Sequence, residues 1–417
     1  MIPRATVYHS LWFDLKFFLK AILRKAANSS GIKSPLVEQF ESRFAAYVNA
    51  KHAIAFPLAR TALYYTLKVQ NLPAGTEIIM PPLTIKPMMD VVLALKLKPV
   101  FVDLDPKTCC FDQSQLDQAI NSNTGAIFIT YLFGHVPEIE KLIATCKQNN
   151  LFIIEDFSQA LNAEYKGKKL GTFGDVGIYS SSATKQLDCF GGGIAVTESD
   201  ATCKSLNAMT SQLCHATNKS VREKIKRSLI WNLAMRRLPF TFAVNPLLTA
   251  IGRFNPEKAA KLMGARQNLK QDKILPKEYF VKFHDLQAEA GIELLNKVKP
   301  ADDHRIKNAR ILKQGIMEAG FETTAPSSFG TSTYWQTLVF VEDTTKFVRE
   351  MKRCGFDTGY TNLSLLSELD AYPEYKIELP GAIKVKYHGM FVPSHPRVRH
   401  SEAKNLCARF KIFASGI

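Results

Sequence analysis

A chain of 417 residues, 46% hydrophobic and 22% charged, can bury a sizeable core, which excludes global disorder. Its 54 lysines and arginines against 38 acidic residues leave a net charge of +16. That balance points to nucleic acid, an anionic membrane surface or phosphorylated ligands. The eight cysteines form no C-x-x-C pair and no zinc-spaced Cys/His cluster. They read as reduced thiols of a cytoplasmic protein, and no metal site is expected.

Residues 1–30 read as a basic arm. Between Leu11 and Leu23, Leu11, Leu15, Phe18, Leu19 and Ile22 share one helical face, and Lys16, Lys20 and Arg24 share the opposite one. Those charges exclude a signal-peptide core. From about 34 to 200, short apolar runs alternate with helical periods. Helices are expected at 36–47, 61–69, 87–96, 114–120 and 138–149, and strands at 52–56, 77–80, 99–103, 126–130, 151–155, 176–180 and 193–197. Short, wholly apolar strands between helices define an α/β fold with a doubly wound, mainly parallel sheet. Residues 201–275 interrupt this rhythm as a basic, apolar insertion. Its longest uncharged run, Leu238–Gly252, is too short for a membrane span and holds two prolines. Helical spacing returns at 285–298 and 304–319. A strand at 336–341 and helices at 345–353 and 401–410 follow. The expected organisation is the arm 1–30, a large α/β domain 31–300 and a smaller C-terminal α+β domain 301–417.

Open parallel sheets bind ligands beyond the carboxyl ends of their strands. Four loops there carry suitable groups. Ala59-Arg60-Thr61-Ala62 opens a helix, whose first N–H groups can hold a phosphate beside the Thr61 hydroxyl. Glu155-Asp156-Phe157-Ser158-Gln159 follows a buried strand, and an acid in low dielectric needs a partner such as a protonated ring nitrogen. Gly174–Lys185 runs from a strand into a hydroxyl-rich turn ending on Lys185, an amine that burial could turn into a nucleophile or base. Gly191-Gly192-Gly193 permits a tight turn but is no phosphate fingerprint. Singly, these are an ordinary helix cap, a structural acid and a solvated lysine. Together, at successive strand ends of one sheet, they fit pyridoxal 5'-phosphate, which needs a lysine, an acid and a phosphate cradle.

The runs Gly75–Asp105, Ile154–Gln159 (IEDFSQ), Tyr165–Gly177 and Ser180–Lys185 (SSSATK), with Asp285–Leu295 and Val392–Arg397 (VPSHPR), resemble the DegT/StrS family. The likeness covers roughly residues 34–200 and 279–410. It implies the pyridoxal-phosphate transferase fold of type I. It also implies an aminotransferase of keto-sugars, mostly nucleotide-linked, serving surface polysaccharide or related biosynthesis with glutamate as amino donor. By position, the resemblance makes Lys185 the Schiff-base lysine and Asp156 the acid on the ring nitrogen. Gln159 becomes the residue beside the ring, Ser180 a phosphate ligand, and Arg60 and Thr61 the phosphate-binding turn. A homodimer with active sites at the subunit interface is implied as well. The family's dehydratases carry histidine in place of the lysine, so Lys185 speaks against that chemistry.

This chain departs from the family in places. Arg60 stands where a glycine is usual, Ile85 where an aromatic stacks on the ring, and Leu161 where a histidine often follows. Phe280 occupies the place of an asparagine that reaches the neighbouring subunit's phosphate. These changes leave two other readings open: a catalytically silent homologue serving as a membrane-associated binding module, or a transaminase of a non-sugar carbonyl. Lys219–Arg237 holds seven basic residues and one acid, interleaved with Trp231 and aliphatics. Such a helix is an interfacial membrane signature or a solvated helix over a dimer partner. Segments 8–25 and 219–254 therefore point to peripheral contact with the inner face of a membrane. Nucleic acid is not expected, because no recognition motif accompanies the charge. Residues 1–30 carry +4, 219–237 carry +6 and 384–411 carry +6, so the rest of the chain is neutral.

Overall fold

The computed structural model describes residues 1–23, 34–255, 275–325, 328 and 330–415. Arg24 and residues 256–274, expected in the basic arm and the insertion, lie outside them. Helix α1 spans Leu11–Leu23 and α2 spans Pro35–Val48. Proline at the first turn starts α2, and Asn49 in the left-handed region (φ 59°) stops it. Its Phe40, Phe44 and Val48 are one buried stripe, and buried Glu41 accepts the Ala55 N–H at 2.7 Å.

Seven strands build the central sheet: β1 His52–Phe56, β2 Glu77–Met80, β3 Lys98–Phe101, β4 Thr124–Thr130, β5 Phe152–Asp156, β6 Val176–Ser180 and β7 Gly193–Thr197. Their order is β1-β7-β6-β5-β4-β2-β3. Neighbours from β6 to β3 run parallel, and β7 is antiparallel to both β1 and β6. Almost every central residue is buried, as a sheet covered on both faces requires. Helix α3, Ala59–Gln70, follows β1.

The basic stretch forms helix α4, Asn218–Ala234, which packs along α1, and the apolar run after it ends in helix α5, Asn245–Phe254. Among the described residues no helix is long and apolar enough to cross a membrane. The face of α1 differs from its sequence pattern. Phe13, Asp14, Phe17 and Ala21 are buried, with Phe13 stacked on Phe190 at 5.7 Å, while Leu15, Leu19 and Ile22 are exposed. Lys16 and Lys20 are turned inward to Glu293 and Glu289.

Two helices were expected around Pro300, but the chain forms one, α6, from Asp285 to Glu318. The proline forfeits a backbone hydrogen bond without ending the helix. The next turn is held by tertiary contacts: fully buried Arg305 pairs with Asp302 and donates through Nε to the Thr333 carbonyl at 2.9 Å. The boundary read at 300/301 therefore falls inside this helix. Beyond it, strands Thr337–Phe340 and Gly389–Val392 pair antiparallel. Helix α7, Thr344–Arg353, and helix α8, His400–Ala414, close a second core around Ile316, Val339, Phe347 and Phe410.

Strand β5 ends on two adjacent acids. The pleat sends them to opposite faces. Glu155, fully buried, accepts four hydrogen bonds: Tyr131 Oη at 2.5 Å and the N–H groups of Gly171, Phe173 and Gly174 at 2.9, 2.6 and 2.6 Å. Burial pushes its pKa up, and the four donors pull the other way. The 165–177 loop is thus wrapped around one carboxylate. At Gly171 (φ 89°) a Cβ would sit 2.2 Å from the Phe157 ring, so the wrap tolerates no side chain there. Replacing Glu155 by Gln turns one acceptor oxygen into a donor facing donors. Chemical denaturation is expected to show a loss of about 2–3 kcal/mol.

Candidate active site

The ends of β5, β6, β7 and α3 meet at one corner. Asp156, buried, accepts the Ser158 N–H at 2.9 Å, and the Ser158 hydroxyl accepts the Ser180 N–H at 2.9 Å. Ser180 pairs in register with Gly193 and donates to the Ser182 hydroxyl at 3.1 Å. A Cβ on Gly193 would lie 2.3 Å from the Ala59 nitrogen, so only glycine lets α3 begin against the strand end. Helix α3 starts at Ala59, two residues earlier than its sequence signal, which puts Arg60 and Thr61 in its first turn. One buried hydroxyl here, Thr61 Oγ1, has no hydrogen-bond partner among the described residues. Buried polar atoms are rarely left so.

Lys185 closes a tight turn, with its N–H on the Ser182 carbonyl at 3.1 Å and Thr184 in the left-handed region (φ 71°). Strain of this kind gathers at functional turns. Its amine lies 4.1 Å from the centre of the Trp335 ring, and Trp335 donates from Nε1 to the Thr184 carbonyl at 2.8 Å. Desolvation lowers the Lys185 pKa to about 8, against the opposing pull of the Asp156 charge. For Asp156, burial raises the pKa, and the Ser158 hydrogen bonds and the Lys185 charge counter it. The two groups therefore sense each other in one desolvated space.

The other expected residues divide. Gln159 is buried, but its Oε1 accepts the Phe133 N–H at 2.6 Å and pins that residue in a left-handed turn (φ 58°). Arg60 is half-buried, its guanidinium 4.8 Å over Tyr279, with Nε lacking a hydrogen-bond partner among the described residues. Ile85 is exposed at the start of the helix Lys86–Ala94. Phe280 packs edge-on to Tyr64 of its own chain at 5.6 Å. Trp335 escaped the sequence reading. It lies 150 residues downstream of Lys185, in the second core's approach, with no spacing to mark it.

A second cluster, also unread, stands beneath the lysine turn. His9 is buried, with Nδ1 3.2 Å from Asp14 and Nε2 3.2 Å from Asp188, three residues after Lys185. Asn232 of α4 donates to Asp14 at 2.6 Å and to the His9 carbonyl at 3.1 Å. Arg397, the last residue of VPSHPR, donates to that same carbonyl at 2.9 Å. His395 of this motif reaches the Pro3 carbonyl at 2.8 Å. The tail motif is therefore a clasp for the N-terminal arm. Burial alone would depress the His9 pKa, but the hydrogen bonds and charges of Asp14 and Asp188 raise it to about 9.

A mainly parallel sheet with a desolvated lysine, a buried acid and an orphaned hydroxyl at its strand ends defines a lysine-bearing α/β scaffold. The chain belongs to the DegT/DnrJ/EryC1/StrS aminotransferase family, whose sequence model matches residues 15–411. It is 27% identical over 237 residues to the spore coat polysaccharide biosynthesis protein SpsC of Bacillus subtilis, covering 57% of this chain and 60% of that protein. It is 33% identical over 165 residues to the GDP-perosamine synthase of Escherichia coli O157:H7, covering 40% of this chain and 45% of that one. The chain thus spans less than two thirds of the length of these curated relatives. Its fold matches the sugar aminotransferase CalS13 from Micromonospora echinospora with a TM-score of 0.75 at 18% identity, over 99% of this chain and 100% of the other.

The His9 cluster has a defined pH signature. A folded pKa near 9 against 6.5 for free histidine stabilises the fold fully below pH 6.5, and the contribution disappears as pH rises to about 9. It amounts to about 3 kcal/mol. The stability difference between the native protein and His9→Gln, measured by thermal or chemical unfolding, is expected to shrink by that amount across this window.

Proposed function

We propose that the protein is a pyridoxal 5'-phosphate-dependent aminotransferase. It moves an amino group from glutamate to a nucleotide-linked keto-sugar in surface polysaccharide or related biosynthesis. The observation that carries this reading is the amine of Lys185, lowered to about 8 and electrostatically coupled to buried Asp156. Family membership supports the reaction class. The sugar is supported by the relatives, one named for GDP-perosamine and one for spore coat polysaccharide.

The residues present fit the cofactor. The orphaned hydroxyl of Thr61, in the first turn of α3, suits a phosphate. Asp156 suits a protonated ring nitrogen, and Lys185 suits an aldehyde. When bound, the cofactor supplies an electron-accepting ring and that aldehyde carbon. In this reading Thr61, Ser180 and Ser181 bind and orient the phosphate, with Arg60 as a neighbouring cation. Asp156 holds a proton at the ring nitrogen, in a setting where burial strengthens the pairing. Gln159 lines the ring's edge, its amide immobilised by Phe133. Lys185 takes a proton from the substrate carbon as a neutral amine and delivers it again, a role worth typically 10²–10⁴-fold. Trp335 covers one side of the amine.

The same reading treats 31–300 and 301–417 as two units with α6 common to both, and takes the assembly as a homodimer with sites at its interface. It puts the protein in the cytoplasm, in keeping with eight free cysteines, peripheral to the inner face of a membrane.

Purified protein given the cofactor is expected to turn yellow and, after Lys185→Ala, to lose that absorbance. A native protein that stays colourless with added cofactor defeats the proposal. Cofactor uptake by apoprotein should accelerate as pH rises through about 8, where the Lys185 amine sheds its proton. Asp156→Asn should still bind but turn over about 100-fold slower or worse, as steady-state rates with glutamate will show. Glutamate bleaching of the colour, with recovery on adding candidate keto-sugars, identifies the acceptor.

A further inference from the structure

Eleven of the seventeen large hydrophobic side chains exposed among the described residues fall in two stretches, 12–23 and 230–254. Scattered exposed apolar residues need no explanation, but such a concentration marks an interaction surface. On α1, Trp12, Leu15, Leu19 and Ile22 form one helical stripe, with Trp12 70% exposed. The other side of the same helix sinks Phe13 and Phe17 into the core. A helix apolar on both sides is built to be covered on both sides. The inner cover is α4 and Phe190. Beside α1, α4 exposes Ile230 and Leu233, with exposed Lys226 and Arg227 one turn away. The chain then runs through exposed Leu238, Phe242 and Leu247 to Phe254.

Charge decides what covers this face. Residues 219–237 hold seven basic residues against Glu223 alone. A two-fold contact through it would set one basic segment against its own copy, like charge against like. An anionic lipid surface takes up both the apolar stripe and the charge. Lys16 and Lys20 do not oppose the approach, since each is already paired to a glutamate of α6. No described helix can span a bilayer, so the contact is a surface one. We propose that α1 and residues 226–254 form the face on which this protein lies against an anionic bilayer. Trp12, Leu15, Leu19 and Phe242 enter the headgroup boundary, and Lys226 and Arg227 meet lipid phosphates. The surface deepens the peripheral-membrane part of the proposed function and is independent of its catalytic part.

The test uses the full chain, loaded with cofactor, and vesicles of phosphatidylcholine alone or of equal parts phosphatidylcholine and phosphatidylglycerol. Co-sedimentation with the anionic vesicles only, weakening as salt rises, is expected, with a blue shift of tryptophan emission. Trp12→Glu with Leu19→Glu should abolish sedimentation. Lys226→Glu with Arg227→Glu should weaken it roughly tenfold or more. All four side chains are solvent-facing and none belongs to the site described above, so each variant should keep its far-ultraviolet circular dichroism and its cofactor colour. No sedimentation at low salt, or sedimentation unchanged in Trp12→Glu/Leu19→Glu, overturns the proposal. So does a native dimer that this variant splits into monomers, for the face would then be a subunit interface. Loss of colour in the native protein bears on the catalytic reading alone.

Discussion

The structure turns on one buried cation. His9 sits in the interior between Asp14 and Asp188, and its neighbours bring together α1, α4, the lysine turn and the tail clasp. A charge taken from water is tolerable only where its partners are already in place. The cluster therefore acts as a joint that exists when four distant segments have arrived and not before. Removing one partner strands the others, because a carboxylate without its cation costs more than the pair ever contributed. The turn that carries Lys185 and the helices of the outer face share this joint, although they serve different ends.

The site itself depends on a division of labour between adjacent acids. Glu155 accepts three N–H groups of the 165–177 loop and the Tyr131 hydroxyl, while Asp156 faces Lys185 electrostatically. The first acid makes the second possible, since the wrapped loop fixes the strand end from which Asp156 projects. Trp335 and Gln159 each hold a turn by one hydrogen bond. One holds the strained Thr184 peptide, the other the strained Phe133 peptide. Left-handed non-glycine residues such as these are sustained only because the surrounding contacts over-determine them.

Much of this was legible in the sequence. The seven strands announce themselves as short apolar runs, and the lysine, the acid and the hydroxyls lie at the ends of those runs. The direction of β7 was not legible, because an antiparallel strand buried between two others has the same apolar pattern as its parallel neighbours. Pro300 misled because a helix-stop signal is local, whereas Arg305 and Asp302 hold that turn through the Thr333 carbonyl far along the chain. Residue types also could not tell Glu155 from Asp156. Strand parity and the loop decide which acid is structural. His9 and Trp335 carry no local signature, since their partners lie 179 and 151 residues away. For α1 the periodicity was visible, but two apolar faces compete, and Phe190 selects the aromatic one for burial.

The arm also has a consequence in time. The Pro3 carbonyl waits for His395, 392 residues later, Arg4 for Asp357, 353 later, and the His9 carbonyl for Arg397, 388 later. At about 5–20 residues per second, ribosomal synthesis separates these partners by roughly twenty to eighty seconds. Residues 3–9 are thus among the last to find their place. Phe13 and Phe17 lie open on one side of α1 until Phe190 and α4 have been made, and Trp12, Leu15 and Leu19 on the other. During synthesis the chain therefore carries a helix with apolar residues on two sides, the kind of surface that aggregates unless it is sheltered.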